Sequence, residues 1–271
     1  MSILTAAPAP ALKVTQARVL RSEFTKFTSL RSTLWTLLAA VVLMIGLGLL
    51  FCAVTGSQYH TFTVAQQLTF DAASTSLTGA TFAQIAFGVL GVLMMSGEYG
   101  TGMIRSSLAA VPRRLPVLWG KLGVFAGVTF VVALIASLVS FFAGQAVLSG
   151  HGLAESVTAP GALRSVVGAA LYVTVAGLAG VGLGALVRNT AAGISAFVAV
   201  FFVVPPLASA LPASIGDHLV EYLPSNAGAA LYGGAHGAAN SLSPWAGFAL
   251  LCGYAAVVIA AAAWRLRRSD A

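Results

Sequence analysis

Charged residues are scarce in this chain. Only 8% of its 271 residues are Asp, Glu, Lys or Arg, whereas 58% are hydrophobic. About a quarter of the residues of a soluble domain are charged, so this composition excludes a soluble domain and predicts an integral membrane protein. The net charge of +7 would favour a nucleic-acid partner in a soluble protein. Here we interpret it as a sign of membrane topology, and we expect no nucleic-acid partner.

The long apolar runs lack Asp, Glu, Lys and Arg in their interiors. Ion-coupled carriers usually place ionisable side chains near the middle of the membrane, where a proton or Na⁺ is bound and released. Their absence argues against a secondary transporter and for energy supplied from outside the chain. Gln84 is a polar residue within a run, and an amide there more often bonds a neighbouring helix than a substrate.

Common catalytic and metal-binding motifs are also absent. The P-loop pattern G-x-x-x-x-G-K-[ST], the zinc-protease pattern H-E-x-x-H and the G-x-S-x-G elbow do not occur. We therefore expect no ATP hydrolysis by the chain alone, no catalytic residue and no cofactor site. The four histidines are far apart in sequence, which predicts no metal site. Both cysteines, Cys52 and Cys252, lie inside apolar runs, where a thiol behaves as a small hydrophobic group.

Six apolar runs are long enough to cross a bilayer, because about 20 residues of α-helix span its ~30 Å hydrocarbon layer. We predict an all-α integral membrane protein with a leader at 1–33, a transmembrane domain at 34–264 and a tail at 265–271. The predicted spans are 34–54, 79–96, 122–148, 165–187, 191–211 and 244–264. The outer segment 212–243 contains apolar pieces that could be short helices dipping toward the membrane, and the sequence leaves open whether it is re-entrant.

The leader has the pattern of an amphipathic helix. Apolar residues recur every three or four positions between residues 13 and 31, at Val14, Ala17, Leu20, Phe24 and Phe27. Bases occupy much of the remaining surface, which favours a helix lying in the membrane interface. The polar residues assigned to this interfacial helix are Arg21, Glu23, Lys26 and Arg31. A solvated leader is the alternative.

A basic segment, Gly97 to Lys121, separates the second and third runs. Pro112 and Pro116 would close a short helix over 101–111 at the membrane surface. Such a helix, held between two spans, could dock a soluble partner. Arg113 and Arg114 could instead bind anionic lipid headgroups.

The charge distribution predicts the orientation. Six crossings place every Lys and Arg except Arg164 on the side that contains both termini and the basic segment. The positive-inside rule makes this side cytoplasmic. Trp35, Trp119 and Trp264 fall at the predicted cytoplasmic boundary, and indoles prefer such boundaries.

The fourth span contains a ridge of small residues. Ala176, Gly180 and Gly184 form this ridge, which favours close helix packing.

The chain resembles the permease subunit of type-2 ATP-binding cassette (ABC-2) exporters of the small actinobacterial type. The resemblance covers essentially the whole chain. The matching stretches are R-S-E-F-T-K-F-T-S-L-R-S-T-L-W-T (21–36), G-E-Y-G-T-G-M-I-R-S-S-L (97–108), V-P-R-R (111–114), G-L-G-A-L-V-R-N-T-A-A-G (182–193), Y-L-P-S (222–225), P-W-A-G-F (244–248) and the closing R-R-S-D-A. The chain departs from the family at Gly100, where a basic or polar residue is common. This departure bears on where the coupling helix begins, which is the cytoplasmic helix that contacts the ATPase in this family.

The resemblance implies a connecting helix before the first span and a cytoplasmic coupling helix between the second and third. The coupling residues it suggests are Glu98, Thr101, Gly102, Arg105, Leu108, Arg113 and Arg114. Glu98 would stand at the N-terminal end of that helix, complement its dipole and pair with a base of the partner.

The resemblance also implies the partners. They are a dimer of cognate ABC ATPase subunits, which bind ATP and Mg, a second permease that is a copy or a paralogue, and membrane lipids. We expect export of a hydrophobic or amphipathic substrate across the bacterial cytoplasmic membrane. The alternatives are a membrane scaffold or sensor that docks a cytoplasmic partner without transport, and a membrane-embedded enzyme.

Overall fold

A computed structural model describes residues 16–100, 102, 114–233 and 242–268 of the chain. These residues contain helices and no β-strand, and six helices are long and apolar enough to cross a membrane. The prediction of an all-α, six-span membrane protein is thus confirmed. The long helices are α2 Arg31–Gln58, α5 Gly79–Gly100, α6 Arg114–Ser149, α7 Ala162–Val187, α8 Thr190–Ser209 and α11 Pro244–Arg268. The shorter helices are α1 Gln16–Ser29, α3 Val64–Leu68, α4 Ala72–Ser76, α9 Ala213–Tyr222 and α10 Pro224–Ala229.

Helices α5 and α6 extend further than the sequence predicts. Helix α6 begins at Arg114 rather than near residue 122, because Pro116 lies in the first turn, where its missing N–H breaks no hydrogen bond. It continues without interruption to Ser149. As a result Glu98 and Lys121, placed outside the predicted spans, are residues of these long helices.

Helix α7 is the centre of the bundle. Of its most apolar stretch 72% is buried, against 22% in α2, α8 and α11. Its small residues allow this position: Ala176 is buried, and a Cβ added to Gly180 or Gly184 would meet the backbone of Gly88 or Val92 in α5. The ridge predicted from the sequence is therefore the face on which α5 and α7 pack.

One end of the bundle, here named the loop end, is closed by short helices. Helix α4 lies against α2, α6 and α7, and its Ser76 is buried. The Ser140 hydroxyl donates to Ser76 O at 2.6 Å, and Gln145 Nε2 donates to Ala72 O at 3.1 Å. Gln145 Oε1 accepts from Glu155 N at 2.7 Å, so one amide holds two loop segments.

The second connection at the loop end also enters the bundle. Helix α10 packs against α7 and α11, and Ala227 and Leu231 are fully buried. Tyr232 packs its ring against Tyr172, with centroids 5.3 Å apart, and its hydroxyl lies 2.8 Å from Thr81 Oγ1. This part of the connection is therefore packed into the bundle.

The opposite end, here named the charged end, gathers the end of α5, the start of α6, the junction of α7 with α8 and the end of α11. Ser96 and Thr190 hydroxyls meet at 2.9 Å, and Arg265 donates to Leu186 O. Helix α1 lies against the start of α6 at this end. Leu30, which has extended backbone angles, separates α1 from α2, so Arg31 belongs to the first span rather than to the interfacial helix.

Candidate functional site

The face of α1 that packs against the bundle contains both apolar and charged side chains. Val19, Glu23 and Phe27 are buried, and the Phe27 ring meets Phe125 of α6 edge-on at 6.2 Å. Leu20 and Phe24, which the sequence assigns to the same apolar stripe as Phe27, remain exposed. The helix is amphipathic as predicted, but its face toward the bundle includes a carboxylate, which apolar periodicity does not predict.

That carboxylate belongs to a charge cluster, which consists of Glu23, Lys26, Glu98 and Lys121. Lys121 Nζ lies 2.6 Å from Glu23 Oε2 and 2.7 Å from Glu98 Oε1. Lys26 Nζ lies 2.9 Å from Glu23 Oε1 and 3.3 Å from Glu98 Oε1. The charge cluster therefore ties α1 to the end of α5 and the start of α6.

The charge cluster is largely buried. The exposed fractions of the side chains are 2% for Lys121, 3% for Glu23 and 11% for Glu98, while Lys26 remains 33% exposed. Charges withdrawn from water are stable only when close partners offset their lost hydration. Lys121 bridges two carboxylates from different helices, so removing it would leave both without their shortest partner.

The pKa of Lys26 responds to the same environment. Partial burial lowers it, but the hydrogen bond to Glu23 and the negative charges of Glu98 and Glu23 outweigh that effect. The pKa of Lys26 is therefore raised above its ordinary value of 10.5. The ammonium form of Lys26 is accordingly favoured in the folded chain.

Glu98 lies in the last turn of α5. The coupling helix that the sequence places after it, over 101–111, lies outside the described residues. The carboxylate thus stands at the negative end of a helix dipole, which disfavours it. Its Oε1 pairs with Lys121 and Lys26 of this chain, which offset that disadvantage.

A cavity of about 320 Å³ adjoins the charge cluster. All four cluster residues line it, together with residues of α2 and α5. Glu98 Oε2 is buried and has no hydrogen-bond partner among the described residues. The charged end therefore combines a partly open cavity that has a polar wall with a buried carboxylate oxygen that accepts no hydrogen bond from the described residues.

A further base, Arg188, lies at the junction of α7 with α8. Arg188 adopts the left-handed conformation, with φ 61°, and ends α7 by donating its N–H to Gly184 O. Its guanidinium lies 5.1 Å from the centre of the Tyr99 ring, one residue after Glu98. This cation–π contact connects the turn between the fourth and fifth spans to the end of α5.

The other residues assigned to function from the sequence fall into two groups. Arg21 and Arg31 are exposed, and Gly102 has a φ of +72°, which favours glycine. Thr101, Arg105, Leu108 and Arg113, with the coupling helix predicted over 101–111, lie outside the described residues. Arg114 is the first residue of α6.

Sequence reasoning missed the role of Lys121. It counted this residue among the bases of a surface segment, whereas the side chain is buried between two glutamates. A usable signal existed, because the chain has only seven acids, and one of them, Glu98, lies two residues after the second predicted span. Distance along the chain, 98 residues between Glu23 and Lys121, hides their pairing.

The chain matches no protein-family model, and a search of curated proteins gives no match either.

Proposed function

We propose that this chain is the permease subunit of an ABC-2 exporter, which moves a hydrophobic or amphipathic substrate with energy from a separate ATPase. The motif resemblance over the whole sequence and the six-span architecture support this assignment. In the proposal the ATPase subunits bind ATP and Mg, and two permeases form the pathway at their interface.

The charge cluster is the observation that carries the proposal furthest. The segment 101–113 joins the end of α5 to the start of α6, and the cluster links these same two helix ends to α1. A partner that displaces the segment would therefore move three elements together. Nucleotide-driven closure of an ATPase dimer is a displacement of this kind.

The proposal includes an orientation. Both termini and the charged end face the cytoplasm, and the loop end faces outward, in agreement with the positive-inside rule. Single cysteines introduced by Arg113→Cys and Glu155→Cys, in a chain whose native cysteines are replaced by alanine, test it in intact cells. An impermeant maleimide should label position 155 and not position 113, and the reverse result would reject the orientation.

Purification with native partners tests the function. We expect the tagged chain to recover a P-loop ATPase and to hydrolyse no ATP without it. Recovery of another soluble protein in its place would favour the scaffold or sensor. ATP hydrolysis or transport by the chain alone would reject the proposal.

Once the ATPase is in hand, Glu98→Ala should uncouple hydrolysis from transport or dissociate the complex. Glu221→Ala is a matched control, since this carboxylate lies on α9 at the loop end and should have little effect. Unchanged hydrolysis and transport in Glu98→Ala would remove Glu98 from the coupling role.

A further inference from the structure

Helix α11 shows where the membrane boundary lies at the loop end. Residues 244–264, which precede the arginines of its last turn, carry no charge. At ~1.5 Å per residue this stretch is about 30 Å long, which matches the hydrocarbon layer of a bilayer. Trp245 is exposed in the first turn, as indoles at a membrane boundary are. The start of α11 therefore lies at the boundary.

The junction of α9 with α10 lies below this boundary. Tyr254 follows Pro244 by ten residues, or about 15 Å of helix, and its hydroxyl donates to Tyr222 O at 3.0 Å. A Cβ added to Gly247 would overlap Ala227 O of α10. The end of α9 and the start of α10 thus lie beside the first three turns of α11, within the depth of the hydrocarbon layer, and not above it.

Helix α9 exposes an apolar face at this depth. Gly216 faces the end of α8, where an added Cβ would meet Ala208 O at 2.9 Å. Ile215, Leu219 and Tyr222 lie on another face, since their spacing of four and three residues follows the turn of a helix. Their exposed fractions are 59%, 45% and 49%. These three side chains, here named the α9 stripe, are apolar surface that the described residues leave largely open.

The α9 stripe continues the apolar surface of α8. Helix α8 is long and apolar enough to cross a membrane, so exposed apolar side chains such as Leu207 face lipid. Leu211, in the turn that follows, is also exposed, and its Cβ lies 3.5 Å from a Cβ added to Gly216. Leu207, Leu211, Ile215 and Leu219 follow one another at intervals of four residues. The α9 stripe is therefore continuous with a surface that lipid already covers.

The area of the α9 stripe is too small for a protein partner. A large aromatic side chain offers about 150–250 Å² of surface, so three half-exposed side chains offer about 300 Å². A stable protein interface needs about 800 Å² from each partner. A lipid surface has no such lower limit, because the binding strength grows with each apolar side chain that is inserted.

The charges of α9 are acidic. The helix contains Asp217 and Glu221 and no Lys or Arg. His218 is exposed and Glu221 is half-buried, and both positions lie to one side of the α9 stripe. An amphipathic helix in a membrane interface places its apolar face about 5–10 Å below the headgroups and its polar side toward water. Basic helices are also attracted to anionic lipids, and α9 lacks the bases for this attraction.

From these observations we infer that α9 is an interfacial helix whose stripe binds the acyl-chain region of a lipid surface, without a requirement for anionic headgroups. It differs in this respect from α1, whose polar residues include Arg18 and Arg21. Binding of this kind depends on the contacts of α9 with α8 and α11, and not on the proposed transport function or on the orientation of the chain.

Spin labels at single cysteines test the position of the α9 stripe. The full chain, with Cys52→Ala and Cys252→Ala, is labelled at Leu219→Cys and placed in phosphatidylcholine nanodiscs. The reference in water is Ala154→Cys, since Ala154 is exposed in the loop between α6 and α7. We expect the Leu219 label to be at least about fivefold less accessible to a water-soluble nickel chelate than the Ala154 label, because hydrocarbon excludes the chelate. Equal nickel access at the two positions would overturn the inference.

Three further labels complete the comparison. Val257→Cys gives the reference in lipid, because Val257 is 69% exposed on α11, and the Leu219 label should match its access to dissolved oxygen. Ile215→Cys repeats the measurement on the α9 stripe in case Leu219→Cys does not fold. His218→Cys differs from Leu219→Cys by one position but lies on the polar side, so its label should be accessible to nickel. Equal nickel access at His218 and Leu219 would contradict an interfacial helix.

Two further outcomes concern what covers the α9 stripe. Adding phosphatidylglycerol to the nanodiscs should leave nickel access at Leu219 unchanged, and protection that appears only with this anionic lipid would reject a purely apolar attachment. A second copy of the chain on the α9 stripe would shield the Leu219 label from oxygen as well as nickel and broaden its spectrum, which would also reject lipid binding. No ATPase is present in these measurements, so their failure would leave the proposed function standing.

Discussion

The two ends of the bundle bury polar groups in different ways. At the loop end the buried groups are neutral: the amide of Gln145 and the hydroxyls of Ser76 and Ser140 bond one another and backbone carbonyls. At the charged end they are ions, with Lys121 held between Glu23 and Glu98. Neutral hydrogen bonds cost less to bury than charges, whereas paired charges are stable only as a complete set.

The two ends also differ in how some of their helices contact each other. At the loop end backbones approach closely, and a Cβ added to Gly48 would overlap Ser76 O. At the charged end α1 meets α6 through side chains, and a Cβ added to Gly120 would meet Val19 Cγ1 at 2.9 Å. Side chains can rearrange and backbones cannot, so the contact between α1 and α6 is the part of the charged end suited to change its arrangement.

The largest effect is expected from Lys121→Met, which keeps the length of the side chain and removes its charge. Among the described residues, Glu23 and Glu98 would then share only Lys26, which is partly exposed. Breaking a buried ion pair in this way costs about 3–5 kcal/mol. Chemical unfolding of the purified chain in detergent should show this loss, or the variant should fail to accumulate.

The double variant Lys121→Met with Glu98→Gln sharpens this test. It removes one of the two carboxylates that Lys121 neutralises, so it should regain part of the lost stability. A double variant as unstable as Lys121→Met would mean that packing, and not uncompensated charge, makes Lys121 necessary.

A smaller effect is expected from Gln145→Leu at the loop end. The change removes the acceptor of Glu155 N–H and the donor to Ala72 O. Loss of these neutral hydrogen bonds should cost about 1–3 kcal/mol. The same unfolding measurement should place this variant between the wild type and Lys121→Met. A loss as large as that of Lys121→Met would erase the contrast between the two ends.

The sequence predicted the parts of the fold that depend on local pattern. Hydropathy gave the number of spans, and helical periodicity gave α1, because both are properties of consecutive residues. The small-residue ridge at Gly180 and Gly184 also follows from spacing along one helix. The structure packs this ridge on α5.

The sequence did not predict the features that depend on contacts between distant residues. It ended the second span before Glu98 and began the third span after Lys121, since an unpaired charge would be costly inside a span. The structure pairs the two at 2.7 Å, so both helices continue. In the same way Glu23 was assigned to the polar face of α1, although one of its partners, Lys121, lies 98 residues away.

A matched pair of glycine substitutions compares the packing of the two ends. Gly48→Ala should destabilise the chain by about 1–3 kcal/mol, because the new methyl group meets backbone that cannot move. Gly120→Ala should cost less, since Val19 can change its rotamer. Gly46→Ala is the control on α2, where a Cβ would have nothing within 4 Å. Thermal unfolding that ranked Gly120→Ala below Gly48→Ala in stability would contradict the view of the charged end as the adjustable one.

The smallest effect is expected from the pH dependence of Lys26. Its pKa is raised in the folded chain by Glu23 and Glu98, so its contribution to stability is complete below 10.5 and is lost as the pH rises through the folded-state value. Because the side chain is 33% exposed, the contribution should be only about 0–1 kcal/mol. Comparing the unfolding of Lys26→Met with that of the wild type across this range isolates it from other titrations. The difference between the two should vanish at high pH, and a difference that grew instead would show that the ammonium of Lys26 does not hold α1 to the bundle.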